Sequence, residues 1–341
     1  TNILYSVYGI DPTSPPTEKI TKVLAGSANS IVSAFLASQS SDIRAVNSLL
    51  SVLTSLKSDE TVTLTTEAFG NMYMELVTKT FELANLIISV RALLKMPPST
   101  LEKHIYAKSP DLVDVYVSYH HLRNQVIKLL TYLVRAPWSN ELPSLLAHLG
   151  QTHSQLLLDM IASDLESPLC DHRLMKNLYS FFSSIMEGKQ DGLSILFLTG
   201  KVATCGDQSR EEKEESSKSI LTILKNNALR LDDLSESVGS HLLDAIAFAF
   251  NTWTSARNYD ADKELISALV KKLQNFKPKV LSKESTTEEI VSLSNEYKLI
   301  SRIAEICALY LFTSSNTNSP IFELLNRSNL ASAINPLFQI D

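Results

Sequence analysis

Two apolar rows run side by side along residues 66–95: Leu76, Leu83, Ile87, Val90 and Leu94 form one, and Tyr73, Val77, Phe81, Ala84 and Ile88 the other. Each row follows helical spacing, so together they make roughly half of the helix circumference apolar. A helix of that kind must be covered on two sides, which asks for layered helices. Residues 110–135 add a single stripe of Leu112, Val115, Tyr119, Leu122, Val126, Leu129 and Leu133, spaced by three and four. The spacing predicts one long helix with a buried face. Pro137 and Pro143 stop the register from continuing into a coiled coil, so the partners are neighbours in sequence.

The rest of the chain fits the same pattern. Leucine and serine are abundant, suiting helix interiors and helix starts, while only 9 of 341 residues are glycine. Apolar spacing and capping signals place helices near 16–37, 41–57, 66–95, 99–107, 110–135, 141–149, 151–165, 171–187, 191–199, 215–229, 232–256, 260–276, 287–313 and 320–327. Four Ser-Pro steps, at Ser14, Ser109, Ser167 and Ser319, read as helix starts. The expected fold is all-α: an α-solenoid of stacked antiparallel helix pairs, armadillo- or HEAT-like, filling 1–341 as a single segment. Helix succession carries that inference, because no repeat of fixed period is visible. Polar loops fall near 206–214 and 277–286, the second leading into a capping box at Ser285-x-x-Glu288 or Thr286-x-x-Glu289. A start at Thr1 without methionine suggests a piece of a longer chain.

Charge narrows the partners. With 31 Lys and Arg against 37 Asp and Glu, the net charge of −6 argues against a broad nucleic-acid surface. The three cysteines, Cys170, Cys205 and Cys307, lack zinc or disulfide spacing and fit a reducing compartment. The longest apolar runs are too short to cross a bilayer, so no transmembrane segment is expected.

A search for chemistry yields little. Gly200-Lys201 lacks the earlier glycine of a phosphate loop, and Ser194 lacks the second glycine of a nucleophile elbow. His120-His121 has no ligand type one helical turn away, and Cys170-Asp171-His172 is explained by capping at Asp171. Asp159 and Asp164 stand five apart and do not face one another on a helix. Neither an enzyme nor a cofactor is expected.

Residues 172–201 carry a family signal. Leu174, Leu178, Phe181, Phe182 and Ile185 line one helix, the turn GKQDG follows at 188–192, and LSILFLTG fills 193–200, with NEYKLISRIAEICALYL at 295–311 as a weaker companion. This pattern resembles the large inner-ring scaffold nucleoporins of the 188/192 family, the 188 type more closely. The resemblance implies a non-enzymatic α-solenoid of the nuclear pore complex inner ring, at the nuclear envelope. It also implies binding to other nucleoporins through a linker nucleoporin helix, with phenylalanine-glycine repeats as a further partner class. A soluble HEAT-type nuclear transport receptor or adaptor is the alternative.

One helix offers a candidate binding face. Residues 287–313 carry a row of Ile290, Leu293, Tyr297, Ile300, Ala304, Cys307 and Leu311, beside a second row of Leu299, Ile303, Ile306 and Tyr310. Either helices 260–276 and 320–327 cover both rows, or the second stays partly open to an amphipathic partner helix.

Overall fold

Serine caps and glycine stops set many of the helix boundaries. In the computed structural model Ser99, Ser219, Ser235 and Ser319 each accept a hydrogen bond from a backbone N–H two or three residues into the following helix. Gly200, at φ 73° and ψ 8°, ends the apolar run 191–199 in the left-handed conformation that glycine adopts without strain. The structure describes residues 4, 7–8, 18–36, 44–57, 68–138, 144–167, 170–188, 190–201, 219–277, 286–313 and 319–328. Both expected polar loops lie outside these residues, except for Lys277 and Thr286.

The helices are α1 (Glu18–Leu36), α2 (Arg44–Leu53), α3 (Ala68–Leu93), α4 (Thr100–Ala107), α5 (Ser109–Ser118), α6 (Arg123–Arg135), α7 (Leu145–Glu166), α8 (His172–Glu187), α9 (Asp191–Thr199), α10 (Ile220–Leu229), α11 (Glu236–Thr252), α12 (Lys263–Asn275), α13 (Thr287–Thr313) and α14 (Pro320–Arg327). Among the described residues there is no strand. The fold is all-α. It divides into two compact units, Thr1–Leu157 and Leu158–Asp341.

In the first unit, the doubly apolar α3 packs against α1, α2 and α6, and Val77, Phe81, Ala84, Ile87 and Ile88 are fully buried. Asn85 donates to the Gln125 carbonyl at 3.0 Å and Tyr132 hydrogen-bonds Ser89, so α3 and α6 run in the same direction. The long helix expected over 110–135 is instead two. Tyr119 adopts an extended backbone (φ −123°, ψ 92°) and a short 3₁₀ turn follows over His120–Leu122. Arg123 stabilises the break: its Nε donates to the Tyr116 carbonyl at 3.1 Å and its guanidinium lies over the Tyr116 ring. Leu112 and Val115 on α5, Leu122 in the turn, and Val126, Leu129 and Leu133 on α6 remain core, and α5 packs against α6.

The second unit stacks helix pairs. Phe197 of α9 meets Phe181 and Phe182 of α8, while Ser194 donates to the Ile185 carbonyl at 3.0 Å, making α8 and α9 antiparallel. Lys225 of α10 lies over Phe250 near the end of α11, and Leu231 just beyond α10 approaches Gly239 near the α11 start, a second antiparallel pair. Asp262 at the start of α12 bonds Tyr310 late in α13, and Phe276 after α12 stacks on Tyr297 early in α13, a third. Successive pairs then layer in parallel. Contacts of 239 with 299, 244 with 302 and 250 with 310 align α11 with α13. Ion pairs of 225 with 262 and 232 with 272 align α10 with α12. This is the packing of an α-solenoid.

Candidate partner-binding cleft

The α11–α13 layer places the four row residues inside the protein. Leu299, Ile303, Ile306 and Tyr310 are all buried, and α11 supplies most of the covering, alongside the expected α12 and α14. Gly239 permits the approach, since a Cβ there would lie 2.9 Å from the Leu299 Cδ1. Asp244 of α11 sets the register, receiving Lys298 at 2.9 Å and the Arg302 guanidinium. The side chains of α13 that stay exposed and apolar are Ile290 and Val291 near its start and Phe312 near its end.

Tyr310 belongs to a buried polar knot. Asp262, 3% exposed, accepts from Lys225 Nζ at 2.8 Å, from the Asn258 backbone N–H at 2.8 Å and from the Tyr310 hydroxyl. Lys225 also donates to the Ala256 carbonyl at 2.8 Å. Burial, followed by the hydrogen bond to Asp262, raises the Tyr310 hydroxyl well above the ordinary tyrosine pKa. The knot joins α10, the turn before α12, and α13. Its groups satisfy one another.

One row residue does reach an opening. Leu299 and its neighbour Ile300 line a cleft of about 540 Å³ bounded by the end of α10, the start of α11, α12 and α13. Leu229, Leu231, Leu234, Ala268, Leu269 and Phe276 add to its apolar surface. The rim is split by charge: Asp232, Glu236 and Glu296 stand on the α10–α11 turn and α13, with Lys271 and Lys272 opposite on α12. Lys272 bridges to Asp232 across the mouth. A mixed polar and apolar lining with oppositely charged walls is suited to an amphipathic segment lying along it.

The remaining sequence candidates do not converge. His120 and His121 are exposed in the 3₁₀ turn, and the pKa of His121 is lowered by partial burial and then by His120. Asp171 occupies the N-cap of α8 without a side-chain capping bond, and Cys170 Sγ contacts its carbonyl at 3.8 Å. Ser194 is buried against the Ile185 carbonyl. Among the described residues no group of three His, Cys, Asp or Glu could hold a metal ion.

Sequence reasoning missed the cleft because its surface comes from four separate elements. It also missed a buried ion pair in the first unit. Glu102 accepts from Arg91 Nη2 at 2.8 Å and Nε at 3.1 Å, and from the Ser99 backbone N–H at 2.8 Å. Ser99-x-x-Glu102 is a capping box that the sequence displays openly.

Antiparallel helix pairs stacked in layers, with a cleft opening between pairs, define a helical-repeat protein of the α-solenoid class. The family model for Nucleoporin Nup188, N-terminal subdomain III, matches residues 1–201. Nucleoporin NUP188 of Saccharomyces cerevisiae is 39% identical over 344 residues, covering 100% of this chain and 20% of the yeast protein. Nucleoporin nup184 of Schizosaccharomyces pombe is 31% identical over 206 residues, covering 59% of this chain and 13% of that protein. The chain belongs to the Nup188 nucleoporin family. It is a component of the nuclear pore complex, at the nuclear envelope.

Proposed function

We propose that this chain is a structural segment of the inner-ring scaffold of the nuclear pore complex and binds short helical segments of linker nucleoporins, in support of nucleocytoplasmic transport. The cleft between α10, α11, α12 and α13 carries the reading. Its leucine, alanine and phenylalanine side chains offer apolar contact to leucine-sized anchors, each contributing up to about 1.5–3 kcal/mol if fully buried. Its divided rim fixes the direction in which an amphipathic helix lies, because like charges would meet in the reverse direction. Of the four row residues on α13, Leu299 lines the cleft, and Ile303, Ile306 and Tyr310 are buried further along the helix. The reading assigns the chain no catalytic step.

Ala268 lines the cleft from α12 and is half-buried, so Ala268→Arg fills the opening without entering the core. Fluorescence anisotropy with synthetic peptides covering helical segments of other nucleoporins should show binding to the wild-type chain. Ala268→Arg should weaken it on the order of tenfold or more, as expected for loss of a buried anchor, with circular dichroism unchanged. A phenylalanine-glycine repeat peptide tests the other partner class in the same assay. Absence of binding by every helical peptide, or binding indifferent to Ala268→Arg, would remove the cleft from the proposal.

A further inference from the structure

The turn between α3 and α4 presents six consecutive exposed residues, Ala92 to Pro97, with Leu93 57%, Leu94 47% and Met96 37% exposed. It is a built feature. Met96 N–H donates to the Arg91 carbonyl and Lys95 N–H to the Ala92 carbonyl, each at 3.1 Å, the paired bonds of a Schellman helix ending. Glycine is the usual residue at the left-handed position of that motif, yet Lys95 occupies it at φ 53°. The turn is also anchored from below, where Arg91 donates to the Met96 carbonyl at 3.1 Å while gripping buried Glu102. A rigid base thus holds two leucines and a methionine outward around a lysine kept in a strained conformation.

Among the described residues the neighbouring segments carry a net positive charge, although Lys108 pairs with Asp111. Residues 91–108 contain four Lys or Arg and a single carboxylate, Glu102, which is buried on Arg91. Residues 123–138 contain three Lys or Arg and no carboxylate. The Ser89–Tyr132 contact brings the last turns of α3 and α6 together, which sets Arg135 at the same end of the unit as Lys95. Lys95, Lys103 and Arg135 are exposed and have no acidic partner among the described residues. This cationic end stands out in a chain of net charge −6.

We propose that the 92–97 turn is a membrane-contact element that dips Leu93, Leu94 and Met96 into an anionic bilayer surface while Lys95, Lys103 and Arg135 meet lipid phosphates. An exposed apolar turn that carries a lysine and has further cations at the same end of the unit matches the layered chemistry of such a surface, apolar within and anionic at the headgroups. The contact is peripheral, since among the described residues no helix is long and apolar enough to cross a membrane. A component of the nuclear pore complex has the envelope bilayer within reach. The proposal stands apart from the cleft of the second unit.

Flotation of the 341-residue chain with vesicles tests it. The wild type should float with phosphatidylcholine–phosphatidylserine vesicles and not with phosphatidylcholine alone, and added salt should weaken the association. The triple variant Leu93→Ser, Leu94→Ser, Met96→Ser should float on the order of tenfold less, with unchanged circular dichroism and melting because these side chains are exposed. Lys95→Glu, Lys103→Glu, Arg135→Glu should abolish the preference for phosphatidylserine. A wild type that ignores anionic vesicles, or a serine variant that floats as well as the wild type, overturns the proposal. Loss of a nucleoporin partner by the serine variant, with no vesicle binding by the wild type, would assign the tip to a protein and overturn it equally.

Discussion

Both units bury a carboxylate beside a cation, Glu102 with Arg91 and Asp262 with Lys225, and the two pairs are built differently. Glu102 is held by Arg91 and by the capping box of α4, so the ion pair and the helix start are one object. Asp262 spreads its charge over Lys225, the Tyr310 hydroxyl and the Asn258 N–H, groups drawn from three places in the chain. The first arrangement is local, its partners eleven positions apart; the second joins residues 37 and 48 apart. Losing one partner should therefore be worse at Glu102. There the guanidinium has a single counter-charge, whereas Asp262 keeps other donors when one is removed.

Glu102→Ala is the largest expected effect. It leaves Arg91 buried with only the Met96 carbonyl as a partner and also removes the α4 capping box. Breaking a buried pair from one side costs about 3–5 kcal/mol. Urea unfolding should register that loss, and hydrogen exchange should show α4 amides deprotected. A loss below about 1 kcal/mol, the range of an exposed pair, would mean water reaches Arg91 freely. Lys225→Met comes next. The thioether side chain keeps much of the packing on Phe250, and Asp262 retains Tyr310 and the Asn258 N–H, so about 2 kcal/mol is expected in the same assay. A cost equal to that of Glu102→Ala would erase the distinction between a cation left with one carbonyl and a carboxylate left with two neutral donors.

How much of this was legible in the sequence depends on whether the signal is local. The break at Gly150 was, since helices expected at 141–149 and 151–165 meet there and the structure has Gly150 at φ 69° and ψ 177° within α7. The capping box before α13 was narrowed to two choices, and Thr286 with Glu289 forms it: the Thr286 N–H donates to the Glu289 carboxylate at 2.9 Å. Ser319-Pro320 does start α14, whereas Ser109 sits inside α5 with Lys108 as the N-cap. The break at Tyr119 has no glycine or proline to announce it. It depends on Arg123 reaching back to carbonyls of the preceding helix, a contact that periodicity does not record. The α13 rows were identified correctly as apolar, but their covering by α11 was not, because nothing in helix 232–256 names its partner. The cleft is less legible again, being the space that four elements leave between them.

The smallest expected effect, Tyr310→Phe, tests whether the hydroxyl is a real member of the Asp262 group. The phenylalanine ring keeps the edge contacts with Phe250 and Tyr259, and Asp262 keeps Lys225, so at neutral pH the loss is that of one hydrogen bond, about 1 kcal/mol. Alkaline pH separates this account from simple packing. The raised pKa of Tyr310 keeps the folded state protonated where the unfolded tyrosine, near its usual value of about 10, already loses its proton. The stabilisation from Tyr310 is complete below that pH and declines above it as ionisation draws the unfolded state down in free energy. Wild type and Tyr310→Phe should therefore differ most at pH values below about 10 and converge above it. Cys307, whose thiol is pushed up to about 12 by burial, also weakens the fold at alkaline pH, but it is present in both chains and cancels from their difference. Urea midpoints measured on either side of the tyrosine pKa give the comparison directly. A gap that stays constant across that range would show that the Tyr310 hydroxyl titrates alike in both states, and would take it out of the Asp262 group.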